Sequence, residues 1–180
     1  MWHNKADSKN RRDENMRIDL TFSAQEEAEF QQLLRGVMAS EEAERMKEFT
    51  QHGVITTYEH CEHVARTCYK LDLATGSKAD RQVLLTCAFL HDFFLYDWHE
   101  KKLANKIHGF THPRVAARNA AKYFHLSEQE QKIIASHMWP LNIWRLPQGR
   151  EGWILCLADK YCSFWETVAM RKENKIEAGY

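Results

Sequence analysis

The chain has 180 residues, enough for one domain with a sizeable core, and its 25 Lys plus Arg balance 25 Asp plus Glu. No basic field marks a binder of duplex nucleic acid or of a membrane surface, while a small polar ligand stays compatible with a neutral chain. The five cysteines, Cys61, Cys68, Cys87, Cys156 and Cys162, include no CxxC pair and are odd in number, which argues against a disulfide framework or a thiolate zinc site.

The opening stretch, MWHNKADSKNRRDENMR, is polar and has no apolar h-region, so residues 1–22 are expected to form a disordered tail. No later segment approaches the roughly eighteen apolar residues of a membrane span, and a soluble, cytoplasmic protein is expected. With 7 Gly, 3 Pro and almost no continuous Val, Ile and Thr alternation, residues 23–180 read as an all-α, compact single-domain helical bundle.

Ser23 with Glu26 forms a capping box that opens a helix over about 24–38, and a second helix follows at about 41–51. Thr56 with Glu59 opens one at about 57–73, and Ser77 with Asp80 another at about 78–95. Pro113 suits the first turn of a helix running to Phe124, and Ser127 with Glu130 opens one at about 128–138. The final stretch, GWILCLADKYCSFWETVAM, reads as a long, almost wholly buried helix. Two longer connections, 96–112 and 139–151, are rich in Trp, His, Lys and Gly, and loops of that length in a compact domain are often functional.

Several polar residues sit against this pattern. His60 falls in the first turn of its helix, His91 and Asp92 interrupt LLTCAFLHDFFLYDW, His112 precedes Pro113, and His137 closes the Ser127 helix. Asp159 is flanked by Ile154, Leu155, Leu157, Ala158, Tyr161 and Cys162, where an isolated ionised carboxylate costs many kcal/mol and needs a cation, a donor network or a metal. Imidazole nitrogen and carboxylate oxygen without thiolate suit Fe, Mn, Co, Ni or Zn. Six such groups exceed what one ion with open positions requires. With one bridging carboxylate they suit two ions about 3.5 to 4 Å apart.

With these residues in place, the sequence resembles the HD superfamily of metal-dependent phosphohydrolases. The pattern is His60 in YEHCEHVA, the pair His91 and Asp92 in AFLHDFF, and Asp159 in CLADKY, over about residues 45–170. His112 in GFTHPRVA and His137 in IIASHMWP fall where dinuclear members place second-metal ligands. The resemblance implies that His60, His91, Asp92 and Asp159 hold one ion, that His112, His137 and a bridging Asp92 hold another, and that Asp92 and His112 serve catalysis. It implies a divalent transition metal cofactor, one or two ions, and hydrolysis of a phosphoester in a nucleotide or other small phosphorylated metabolite by metal-activated water. The same fold also carries dinuclear iron oxygenases, and a non-catalytic nucleotide-binding helical module is a further alternative. Leu95 stands where many members have a lysine, and no GYP follows His137, which disfavours a cyclic-di-GMP phosphodiesterase.

Other candidates surround this set. His108 lies four residues before His112, but Gly109 and Pro113 mark the segment as a loop, so His108 is a substrate contact, another choice for the second metal, or a plain loop residue. His63, at i+3 from His60, orients it or faces solvent. Arg114, Arg118 and Lys160 are candidate substrate cations. Phe94, Tyr96, Trp98, Phe110, Trp139 and Trp144 offer stacking or a lid as alternatives to core packing. His3, His52, His99 and His125 read as surface residues. The helix at 24–38 precedes the resemblance and either caps the domain or pairs with a second subunit, making a homodimer.

Overall fold

Local capping chemistry sets the first helix. In the computed structural model, which describes residues 18–52, 54–97 and 108–177, α1 runs Ala24–Met38. Ser23 Oγ accepts the Glu26 amide while the Glu26 carboxylate accepts the Ser23 amide, so two otherwise unpaired N–H groups are satisfied reciprocally. The same box starts α3 (Thr57–Ala74) from Thr56 and Glu59, and α6 (Glu128–Ser136) from Ser127 and Glu130. Between α1 and α3 lie a single-turn α2 (Glu41–Glu44), a 3₁₀ turn (Arg45–Glu48) and a small antiparallel hairpin of β1 (Thr50–His52) and β2 (Ile55–Thr56). The remaining helices are α4 (Arg81–Leu90), α5 (His108–Phe124) and α7 (Gly149–Glu177).

α4 is the central element. It packs against α1, α3, α5, α6 and α7, and every residue from Leu84 to Leu90 is buried. A helix that is apolar around its whole circumference belongs in such a position. Phe30 and Leu34 of α1 cover one side, Tyr58, Cys61, Val64 and Cys68 of α3 another, and Ile133 and Ile134 of α6 a third. Phe22, assigned to the tail by the sequence, packs edge-on against Phe30 at 5.5 Å and lies tilted by 33° against Tyr69 at 5.0 Å. The rest of the expected tail, residues 1–17, lies outside the described residues.

The all-α expectation holds, while three helix boundaries and the burial of α7 differ from it. The helix expected at 41–51 ends early because Phe49 turns extended and residues 50–56 form the hairpin, whose base is fixed by the Thr57 amide donating to Phe49 O at 2.8 Å. Ser77 does not cap α4. It adopts φ +53° after Gly76 at φ +92°, so the chain turns in the left-handed region and Asp80 becomes the cap, accepting the Val83 amide. α5 begins at His108, five residues before Pro113, because a proline removes only one helix hydrogen bond and its neighbours hold the rest. α7 is not almost wholly buried: Trp153, Leu157 and Phe164 lie on an exposed face.

The α3–α4 connection is tied down by Asp72, a fully buried carboxylate whose Oδ1 accepts the Ala79 amide at 3.0 Å and whose Oδ2 accepts Arg81 Nε at 3.0 Å. Asp72→Ala is expected to lower stability by about 2 kcal/mol, since it strands the Ala79 amide and removes one of the two carboxylates paired with Arg81. A thermal melt checks this, with a fall of roughly 4–8 °C expected for a chain of this size. An unchanged melting temperature contradicts it.

Candidate metal centre

Five elements each bring a ligand-type side chain to one place. His60 comes from the first turn of α3, His91 is the residue that caps the C-terminus of α4, and Asp92 follows it. His112 lies on α5, His137 caps the C-terminus of α6, and Asp159 lies on α7. None of the six is more than 6% exposed. The stretch after Asp92 is fixed from α5, where Asn119 Nδ2 donates to both Phe93 O and Phe94 O at 3.1 Å.

The four imidazoles share one orientation. Nδ1 of His91 meets Ala88 O at 2.7 Å, Nδ1 of His112 meets His108 O at 2.8 Å, and Nδ1 of His137 meets Ile134 O at 2.8 Å. A carbonyl oxygen only accepts, so each Nδ1 carries the hydrogen and each neutral ring offers its lone pair at Nε2. His60 is held alike, its Nδ1 2.8 Å from the Glu166 carboxylate. All four Nε2 atoms therefore point inward at Asp92 and Asp159.

The two oxygens of Asp92 face different sets. Oδ2 lies 3.5 Å from His91 Nε2 and 4.0 Å from His60 Nε2, while Oδ1 lies 3.2 Å from His112 Nε2 and 3.7 Å from His137 Nε2. Asp159 Oδ1 completes the first set at 3.5 Å from His60 Nε2 and 3.7 Å from His91 Nε2. Most of these spacings are too long for strong hydrogen bonds. They approach the ~3.0–3.5 Å that separates donor atoms bound about 2.1 Å from one ion at octahedral or tetrahedral angles. Two groupings, His60 with His91 and Asp159, and His91 with Asp92 and His137, meet the spacing for holding an ion.

The charge distribution agrees with a cation site. Burial opposes ionisation of Asp92, but His91, His112 and His137 outweigh it and hold the carboxyl well below the usual range. Asp159 is likewise held down against burial, by His60 and His91. Burial disfavours a charged His60 and a charged His91, yet Asp159 and Glu166 lift the first to about 10 and Asp92 lifts the second, so the carboxylates draw positive charge to these Nε2 atoms, where a metal cation would take the place of the protons. His137 is pushed down to about 3 by burial and by the neighbouring rings of His91 and His112. His91 Nε2 is buried without a hydrogen-bond partner among the described residues, and His112 Nε2 faces His137 Nε2 at 3.0 Å, two lone-pair atoms in contact. Donor chemistry, spacing and these facing lone pairs all fit divalent metal ions. The cysteines do not take part: all five are free and buried, and burial pushes the thiols of Cys68, Cys87 and Cys156 up and that of Cys162 to about 12.

The other candidates separate. His108 is helical rather than in a loop, stacks on His112 at 4.5 Å, and meets Tyr96 Oη through Nδ1 at 2.8 Å. Lys160 lies at the rim, 3.9 Å from Asp159 Oδ2 and donating to His137 O at 2.9 Å. Arg114 and Arg118 do not accompany His112. At 100° per residue they project roughly 160° and 120° around α5 from it, on an exposed face. Phe94 is buried beside His108, Trp139 packs on Trp153, and Phe110 and Trp144 are exposed. His125 is exposed, as expected; His3, Trp98 and His99, like the side chain of His52, lie outside what is described.

Two residues that position the ligands were not singled out from the sequence. Glu166 binds His60 through one oxygen and His63 Nδ1 through the other at 3.2 Å, so His63 acts on His60 only through this carboxylate. Its signal was its place two turns after Asp159, on the same face of α7. Gln51 of β1 donates from Nε2 to Asp92 Oδ2 at 2.6 Å, and no local pattern announces a contact 41 residues away.

The family model of the HD domain matches residues 57–163, a span that includes all six ligand-type residues and neither Gln51 nor Glu166. Comparison with curated proteins and with solved structures returned no match.

Proposed function

The chain belongs to the HD-domain family, whose members are generally metal-dependent hydrolases, and from that premise we propose that it hydrolyses a phosphoester of a nucleotide or another small phosphorylated metabolite. The observation that carries this reading is the common tautomer of His60, His91, His112 and His137, each anchored through Nδ1 with Nε2 turned toward Asp92 and Asp159. On this reading His60, His91, Asp159 and Asp92 Oδ2 hold one divalent transition metal ion, and Asp92 Oδ1, His112 and His137 hold a second. Bound there, the ions supply Lewis acidity toward water and toward the phosphoryl oxygens.

The chain's own groups do the rest. Gln51 fixes the carboxylate plane of Asp92, so that its two oxygens stay divided between the two sets. Phe94, 2% exposed with its ring 6.0 Å from that of His112, keeps bulk water from that side, which strengthens the charge interactions within the site. Among the described residues Lys160 is a cation beside the ligands that is not itself one, and at 39% side-chain exposure it can reach an anionic substrate oxygen. It compensates for Leu95, which turns through φ +56° and offers no charge. His108 and Tyr96 form the polar edge beside His112, where they contact the leaving portion of the substrate.

A panel of nucleoside monophosphates, dinucleoside polyphosphates, cyclic nucleotides and simple phosphomonoesters, offered to Mn- or Fe-loaded protein, tests the reading. Release of phosphate or of a shortened nucleotide from at least one class is expected, with loss of turnover in chelator. Oxygen consumption without phosphoester cleavage identifies the oxygenase alternative and contradicts the proposal.

A further inference from the structure

The face of α5 opposite His112 lines a groove of its own. Arg114 and Arg118 line it from α5, Lys132 from α6 and Arg145 from the segment after it, and alanines 117, 121 and 135 make its floor. A second depression adjoins it, sharing Lys132 and Arg145 and adding Trp144, which is 92% exposed. The two have volumes of about 530 and 380 Å³, the size range of small-molecule sites.

The charge lining this groove is one-sided. Arg66 is paired with Glu27 and Glu62, and Arg81 with Glu29 and Asp72. Arg114, Arg118 and Arg145 have no ion-pair partner among the described residues, and Lys132 has only Glu128, at 3.7 Å with both side chains well exposed. Four cations against one carboxylate leave an excess of three positive charges in a chain whose net charge is zero. Unpaired like charges gathered around one concavity raise the local concentration of anions and gain most from a ligand carrying several negative charges.

We propose that this groove binds a nucleoside polyphosphate at a site separate from the metal centre. Arg114 and Arg118, one helical turn and about 6 Å apart along α5, bracket a phosphate chain together with Arg145, for which planar guanidinium groups are suited. Trp144 presents an open ring to the base at the end of the groove, where stacking holds any base by its π-face. Three guanidinium groups and one ammonium around a single concavity match the few adjacent charges of a short phosphate chain.

Calorimetric titration of the full chain in chelator, with ATP and with inorganic tripolyphosphate as probes, separates this site from the metal centre. ATP is expected to bind, and Arg118→Ala combined with Arg145→Ala to weaken it at least tenfold while the circular dichroism of the fold is unchanged. Trp144→Ala is expected to weaken ATP but not tripolyphosphate, and Glu128→Gln, which removes the one carboxylate, to tighten both severalfold. Absence of ATP binding at millimolar concentration, or binding unchanged in the double arginine variant, overturns the site. Equal affinity for the two probes, with no effect of Trp144→Ala, overturns the nucleotide assignment. Since no metal takes part, none of these outcomes depends on whether the metal centre hydrolyses phosphoesters.

Discussion

Asp92→Ala is expected to release bound metal and to lower phosphoester hydrolysis by roughly 10³-fold or more, equivalent to about 4 kcal/mol of lost transition-state stabilisation. Among the described residues Asp92 is the carboxylate that divides its oxygens between both sets, one toward His60 and His91 and the other toward His112 and His137. Removing it leaves four imidazoles converging on one remaining carboxylate, Asp159, which faces only the first set. Asp92→Asn keeps the shape but halves the acceptor capacity and removes the charge, so it is expected to retain the fold and still lose metal. Metal content by elemental analysis after reloading and desalting, beside turnover, checks both variants. Wild-type metal content in Asp92→Ala contradicts the bridging role.

Glu166→Gln is expected to weaken metal affinity by 10- to 100-fold, the usual effect of removing a group that orients a ligating histidine. Burial works against an ionised Glu166, yet the bonds to His60 and His63 hold it down to about 2, so it is a carboxylate in the folded chain. That charge fixes the Nδ1 hydrogen of His60 and makes Nε2 the more basic atom. Glutamine keeps an acceptor for one ring but loses the charge and the second bond. His63→Ala, which removes only the half-exposed partner on the far oxygen, is expected to have a smaller effect. Competition against a chromogenic chelator reads both, and equal affinities for wild type and Glu166→Gln contradict this role.

The site was legible in the sequence to the extent that burial and polarity conflict locally. His91 and Asp92 stand out because Leu84 to Leu90 are apolar on every side, and Asp159 because its neighbours along α7 are. Glu166 escapes because its near neighbours Trp165 and Thr167 are only partly buried, so a charge there looks ordinary until the helix is packed against His60. Gln51 escapes because its contact joins a hairpin to the end of a distant helix, and the sequence around it was read as helix. The early start of α5 was missed because Gly109 and Pro113 are local breakers, whereas the helix is held by packing on α6 and by the tie from Asn119 to the carbonyls after Asp92. Arg114 and Arg118 were grouped with His112 by nearness in sequence, while the helical period carries them to another face.

Anomalous diffraction from crystals of the Mn- or Fe-loaded chain tests the central claim most directly. Two peaks are predicted, one among His60, His91, Asp159 and Asp92, the other among Asp92, His112 and His137. An absence of anomalous signal at these six residues, in protein shown to be folded and metal-exposed, contradicts the account.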